Sequence, residues 1–252
     1  MKIVISEHFQ NSRQEILDLV NHFEEQGEKF GAGVRNKIKL FELQGITVNV
    51  KAFKVPNTVN KIAYRFFRKS KAERSFKYAQ KLLEKGIGTP RPIAYLEEIN
   101  PLTFVHSYYI SEHLSYDLTY RELVQQSDYP DHEKILRAFT RFTWKLHENG
   151  VEFLDHSPGN TLIRLNKGDY QFFLVDLNRM NFKNLSLEER MKNFSRLTPQ
   201  KDMVRVMASE YSKLISQPEE KIFEKMWGYT KEFQKDFQKK KALKKKIKFW
   251  KK

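Results

Sequence analysis

The stretch Leu146-His147-Glu148-Asn149-Gly150-Val151-Glu152-Phe153-Leu154-Asp155-His156-Ser157-Pro158-Gly159-Asn160-Thr161-Leu162-Ile163 decides how the chain is read, together with Phe172-Phe173-Leu174-Val175-Asp176-Leu177-Asn178 after a short turn. An acid, Asp155, is followed five residues later by an amide, Asn160, and a second acid, Asp176, ends an apolar strand sixteen residues further on. Upstream, Ile135, Leu136, Phe139, Phe142, Thr143 and Leu146 recur at one-face spacing, which predicts a helix over 133–147 propping up the loop of Asp155. Each acid alone is what a cap or a turn often carries. In this order, behind a helix and between short strands, the three side chains can meet around a metal ion carried by a nucleotide.

The run Asp155-His156-Ser157-Pro158-Gly159-Asn160, followed by Val175-Asp176-Leu177-Asn178-Arg179-Met180, resembles the catalytic segments of protein-kinase-like folds. Within them it is similar to the lipopolysaccharide kinase (Kdo/WaaP-type) family, in its Bacteroidetes-type branch, over residues 27–183. The resemblance implies an α+β, two-lobed fold: a small β-rich N-lobe over 1–113, a reduced helical C-lobe over 114–238, and a basic tail over 239–252. It implies ATP and Mg2+. Asp155 would orient or deprotonate the acceptor hydroxyl, Asn160 and Asp176 would hold magnesium, and an N-lobe lysine would neutralise the nucleotide phosphates.

The departures from the protein-kinase pattern carry information of their own. Phe153 and Leu154 stand at the His and Arg positions before the aspartate, Asn178 stands for the glycine of Asp-Phe-Gly, and no Ala-Pro-Glu follows. Without that arginine a phosphorylated activation loop has no partner at this place, and the usual peptide platform is reduced. Both point to a small or lipid-linked hydroxyl acceptor, which the resemblance makes a Kdo- or heptose-type sugar of the lipopolysaccharide inner core. The alternatives are a Rio-like or other atypical protein kinase, and a nucleotide-binding, membrane-associated pseudokinase. Intact Asp155, Asn160 and Asp176 oppose the latter.

Towards the N-terminus, Lys37 to Leu43 and Ile46 to Lys54 alternate as strands around Gly45, with Gly31 and Gly33 in the preceding turn. Glycines there let backbone amides approach phosphates, although a plain hairpin carries the same pair and Asn36 replaces the last glycine of the motif. Val48-Asn49-Val50-Lys51 resembles the strand whose lysine grips the phosphates. Lys54 competes, and strand alternation puts the two lysines on opposite faces; Lys51 has the better preceding hydrophobics. A basic, aromatic insert over 56–68 leads into a helix over 71–84, closed by Gly86. The glutamate expected to pair with the lysine falls at Ser75, so Glu73, two residues away, is the nearest candidate. Glu112-His113-Leu114 marks the hinge where backbone groups would hold an adenine.

Helices over 187–194, 199–215 and 219–237 complete the C-lobe. No cysteine is present, which excludes disulfides, thiolate chemistry and cysteine zinc sites. No apolar run nears the roughly 20 residues that span a bilayer, and Met1 to His8 does not read as a secretory signal, so a cytoplasmic location is expected. The net charge of +15 calls for an anionic partner. Nine of the lysines lie in 239–252, interleaved with Leu243, Ile247, Phe249 and Trp250 and with no acid. That pattern suits an anionic membrane surface, at the inner face of the inner membrane, better than nucleic acid. A solvated tail without function would show the same charge.

Overall fold

A computed structural model describes residues 1–31, 36–53, 69–99, 104–166 and 168–249. The chain divides into two compact units: Met1–Ser115 with Phe173–Arg179, and Tyr116–Phe172 with Met180–Lys252.

The first unit is built on a six-stranded antiparallel sheet. Its strands are β1 (Lys2–Ile5), β2 (Glu28–Lys29), β3 (Lys37–Leu43), β4 (Ile46–Ala52), β5 (Pro92–Ile99) and β6 (Phe104–Glu112), in the order β1-β5-β6-β4-β3-β2. The β3–β4 hairpin pairs Leu43 with Ile46 across a two-residue turn, in which Gln44 has φ +51° and Gly45 φ +76°. Two left-handed residues match the twist of the flanking strands, and a glycine at the second removes the steric cost there.

Alternation along β4 sorts its side chains. Val48 and Val50 are fully buried with Ile16, Val20 and Phe23 of the α1 region (α1, Arg13–Asn21). The opposite face meets α2 (Lys71–Glu84), whose Ala72 and Phe76 pack with Phe53, Tyr95 and Tyr109. Ser70 caps α2, its hydroxyl accepting the Glu73 N–H at 3.0 Å, and Gly86 follows at φ +64°.

The second unit is mostly helical. It contains α3 (Tyr120–Gln125), α4 (His132–Glu148), α5 (Leu187–Asn193), α6 (Lys201–Leu214) and α7 (Glu219–Phe249). Short strands β7 (Leu118–Thr119), β9 (Thr161–Asn166) and β10 (Asp169–Leu174) form one sheet, and β8 (Val151–Phe153) pairs with β11 (Met180–Phe182). The expected helical face of α4 is observed: Ile135, Leu136 and Phe139 are buried in one cluster with Met203, Met207 and Tyr211 of α6 and Phe172 of β10, and Thr143 and Leu146 are buried as well. Two differences from the sequence pattern stand out. The sequence over 117–124 reads as one short helix, but Asp117 and the next two residues are a bend and a strand, since the Asp117 amide bonds the Ile163 carbonyl. The last helix does not stop at Phe237 but runs to Phe249, through the lysine-rich segment.

Candidate active site

In the first unit, Lys51 lies on the α2 face of β4, and its ammonium donates to Asp176 Oδ1 at 2.8 Å. The lysine side chain keeps 14% of its exposure and the aspartate 32%. Asp176 follows β10 in a left-handed conformation, φ +58°, and Asn178 Nδ2 donates to the same Oδ1 at 2.7 Å. The asparagine at the expected glycine position therefore fixes the acid two residues before it. With two donors on Oδ1, the carboxylate's remaining acceptor capacity lies at Oδ2.

Lys71, at the start of α2, adds a second cation near Asp176. Burial lowers its pKa, with Asp176 opposing that shift and Arg74 and Lys51 reinforcing it. Glu73 does not occupy the expected place. It is buried, accepts from Lys77 at 2.6 Å and lies 3.7 Å from Lys2, which also pairs with Glu97. Side-chain direction on the helix, one residue per 100°, turns this acid toward β1 and away from Lys51.

In the hinge segment, part of the backbone is already paired. The amides of Glu112 and His113 are taken up within the sheet, by the carbonyls of Arg91 and Thr47. One pleat from Lys51 on the same strand face, Asn49 Nδ2 contacts His113 Nδ1 at 3.1 Å. Its Oδ1 is buried with no hydrogen-bond partner among the described residues. Gly31 has φ +76°, and a side chain there would meet open space. Gly33, Lys54 and the insert over 56–68 lie outside the described residues. A cavity of about 380 Å³ beside Gly31 is lined by Glu24, Phe30, Lys37, Ile38 and Lys39 among others.

In the second unit, β8 delivers the chain to a turn at Leu154–Asp155, and a 3-10 turn over Pro158–Asn160 leads into β9. Asn160 Nδ2 donates to the Asp155 carbonyl at 2.8 Å, so the amide holds the loop closed while its Oδ1 stays available as an acceptor. The Asp155 carboxylate accepts from Arg196 Nη1 at 3.0 Å. Beneath the loop, His147 bonds the Tyr211 hydroxyl at 2.8 Å and Asn193 Oδ1 at 3.2 Å, and His156 is fully buried between Phe139 and Phe153.

Asn193, Arg196 and Asn49 were not found from the sequence. Asn193 and Arg196 lie about forty residues past the loop they contact, with no spacing that links them to it. The signal for Asn49 was present: an amide side chain two residues before Lys51, on the same strand face.

The two histidines set an acid limit on stability. Burial pushes His147 down to about 3 and His156 down to about 4, so both are neutral near pH 7. The unfolded chain protonates them near 6.5. The stabilisation from keeping them neutral is thus complete above about pH 6.5 and lost as pH falls towards 4 and then 3. Thermal melts from pH 7 to pH 4.5 are expected to show a smaller acid-side drop for His156→Leu than for the wild type. Equal drops would remove His156 from the effect.

The Asp176 carboxylate and the Asn160 amide oxygen are each hard donors of the kind that suits magnesium. Among the described residues no group of three or more His, Asp or Glu side chains could hold a metal. Such donors fit an ion that takes its remaining ligands from nucleotide phosphates.

The model of the lipopolysaccharide kinase (Kdo/WaaP) family matches residues 23–217. A solved structure described as WaaP in complex with acyl carrier protein is similar, with a TM-score of 0.64 and 17% identity, over 95% of this chain and 99% of that one. No curated protein matches the chain. The likeness in structure is one of fold: an antiparallel-sheet N-terminal part and a helical C-terminal part, of the protein-kinase-like kind.

Proposed function

The chain belongs to the lipopolysaccharide kinase (Kdo/WaaP) family, and from that membership we propose that it phosphorylates a Kdo- or heptose-type hydroxyl of the inner core. As a member it is a kinase of the lipopolysaccharide core, with ATP as phosphoryl donor and a saccharide as acceptor. The observation that carries the site assignment is the Lys51–Asp176 contact at 2.8 Å between residues 125 positions apart in sequence.

In this reading Lys51 neutralises the nucleotide phosphates, and Asp155 accepts the proton of the attacking sugar hydroxyl. The new bond joins that oxygen to the γ-phosphorus, the bond to the β-bridging oxygen breaks, and ADP leaves. Asn160 and Asp176 would hold magnesium, which when bound spreads the developing phosphate charge. Incubation with labelled ATP and three acceptors, Kdo-lipid A, a heptose-bearing core and a generic protein, tests the proposal. Label on the saccharide alone supports it, label on the protein alone favours the atypical protein kinase, and none favours the pseudokinase.

The lysine assignment is comparative. Lys51→Ala is expected to lower kcat/KM for ATP at least about tenfold more than Lys54→Ala, the scale of losing a phosphate-stabilising charge. A worse Lys54→Ala would shift the register by three residues.

Membrane attachment belongs to the same reading. Among the described residues no helix is long and apolar enough to cross a membrane. Helix α7 is anchored in the core at Ile222, Met226 and Thr230, whereas Phe237 and Leu243 are 51% and 59% exposed. Beyond Gln238 it is lysine-rich, and each lysine near an anionic surface contributes about 1 kcal/mol. Deleting 239–252 is expected to release the protein from anionic vesicles, with the larger difference from the full chain at low salt, where the lysines are least screened, and with activity on a soluble acceptor kept. Undiminished sedimentation with vesicles would contradict this.

A further inference from the structure

The loop of Asp155 is held from outside by the segment that ends α5. Asn193 Nδ2 donates to the Phe153 carbonyl at 2.9 Å. Arg196 Nη1 donates to the Leu154 carbonyl at 2.7 Å and to Asp155 Oδ1 at 3.0 Å. Three successive loop residues thus take their partners from two residues, Asn193 and Arg196, three positions apart. The turn is itself fixed, because Phe194 and Leu197 on either side of Arg196 are buried in the helical core. On its other side, the Arg196 guanidinium lies 5.3 Å from the ring centroid of Phe233 on α7.

We propose that Arg196 is a positioning residue for phosphoryl transfer, holding the Asp155 carboxylate by Oδ1 so that Oδ2 is turned to the acceptor hydroxyl. The proposal rests on the role assigned to Asp155. A short carboxylate at a turn has several staggered rotamers, and productive proton transfer needs one of them. A single nitrogen bonded to both the backbone and the carboxylate of the same loop ties the rotamer to the main chain. The planar guanidinium can do this while keeping its cation–π contact with Phe233, which a lysine ammonium on a flexible stem cannot. Arg196 reaches the loop from 41 residues downstream of Asp155 and bonds the carbonyl of Leu154 as well as the Asp155 carboxylate.

The test uses the full chain, labelled ATP and a saccharide acceptor. Arg196→Ala is expected to lower kcat about 10- to 100-fold, the scale of a misplaced reacting group, with KM for ATP changed less than about twofold. Millimolar guanidinium ion is expected to restore part of the loss, and Arg196→Lys to stay well below wild type. In an Asp155→Asn background, Arg196→Ala should cost less than about threefold more, since the two act as one unit. Thermal melts check folding, and Phe233→Leu, which leaves the ion pair in place, should show a smaller loss of the same kcat type. Wild-type kcat in folded Arg196→Ala, with Asp155→Asn inactive, overturns the proposal and leaves the role of Asp155 standing. A full, unrescued loss in the Asp155→Asn background also overturns it. An active Asp155→Asn removes both.

Discussion

Asp155→Asn is expected to lower turnover about 10²- to 10⁴-fold, the range of a general-base contribution, while ATP affinity stays within about threefold. The substitution keeps the shape of the side chain and an oxygen for Arg196 to bond, so the loop has no steric reason to move. The Asn160 amide bonds the backbone carbonyl of residue 155, which the substitution does not touch. What is lost is the acceptor for the hydroxyl proton, because an amide nitrogen cannot take it. Single-turnover transfer and nucleotide titration on the same sample check the split. A turnover loss of less than about threefold would contradict the assigned role.

Asp176→Asn is expected to cost about 10²- to 10³-fold in turnover, the scale of removing one preorganised electrostatic partner, and to abolish the magnesium dependence of nucleotide binding. The acid receives Lys51 and Asn178 on one oxygen, so its charge both balances the lysine and leaves a second oxygen for the ion. An asparagine keeps one acceptor oxygen and loses the charge. The fold should persist, since the pair is partly exposed and such pairs contribute little to stability. Titrating nucleotide with and without magnesium, alongside a thermal melt, reads both halves. A well-folded mutant with full turnover would take Asp176 out of the site.

Much of the fold was legible because its signals are local. The one-face apolar spacing of α4, the alternation of β3 and β4 and the turn at Gly45 depend on residues a few positions apart. The order Lys51, Asp155, Asn160, Asp176 was legible for the same reason, being a pattern along the chain. The pairing acid was not. Glu73 sits near the right place in sequence, yet two helical positions turn it to Lys2 and Lys77. Nor was the end of α7 legible, where a run of like charges reads as a tail although the helix continues through it.

By itself, the sequence determined the class of the protein and the candidate side chains for its chemistry, because periodicity and motif spacing are written along one chain. Tertiary structure alone decided which groups meet across long separations. It brought Lys51 to Asp176, put Asn178 on the same carboxylate oxygen, and placed Arg196 against Asp155. It also buried His156 between two phenylalanines, which makes an unremarkable loop histidine a neutral core residue. The reason is physical. Hydrogen bonds and ion pairs act over a few ångströms, and only packing of the sheet and of the helical core brings residues 41 and 125 positions apart within that distance.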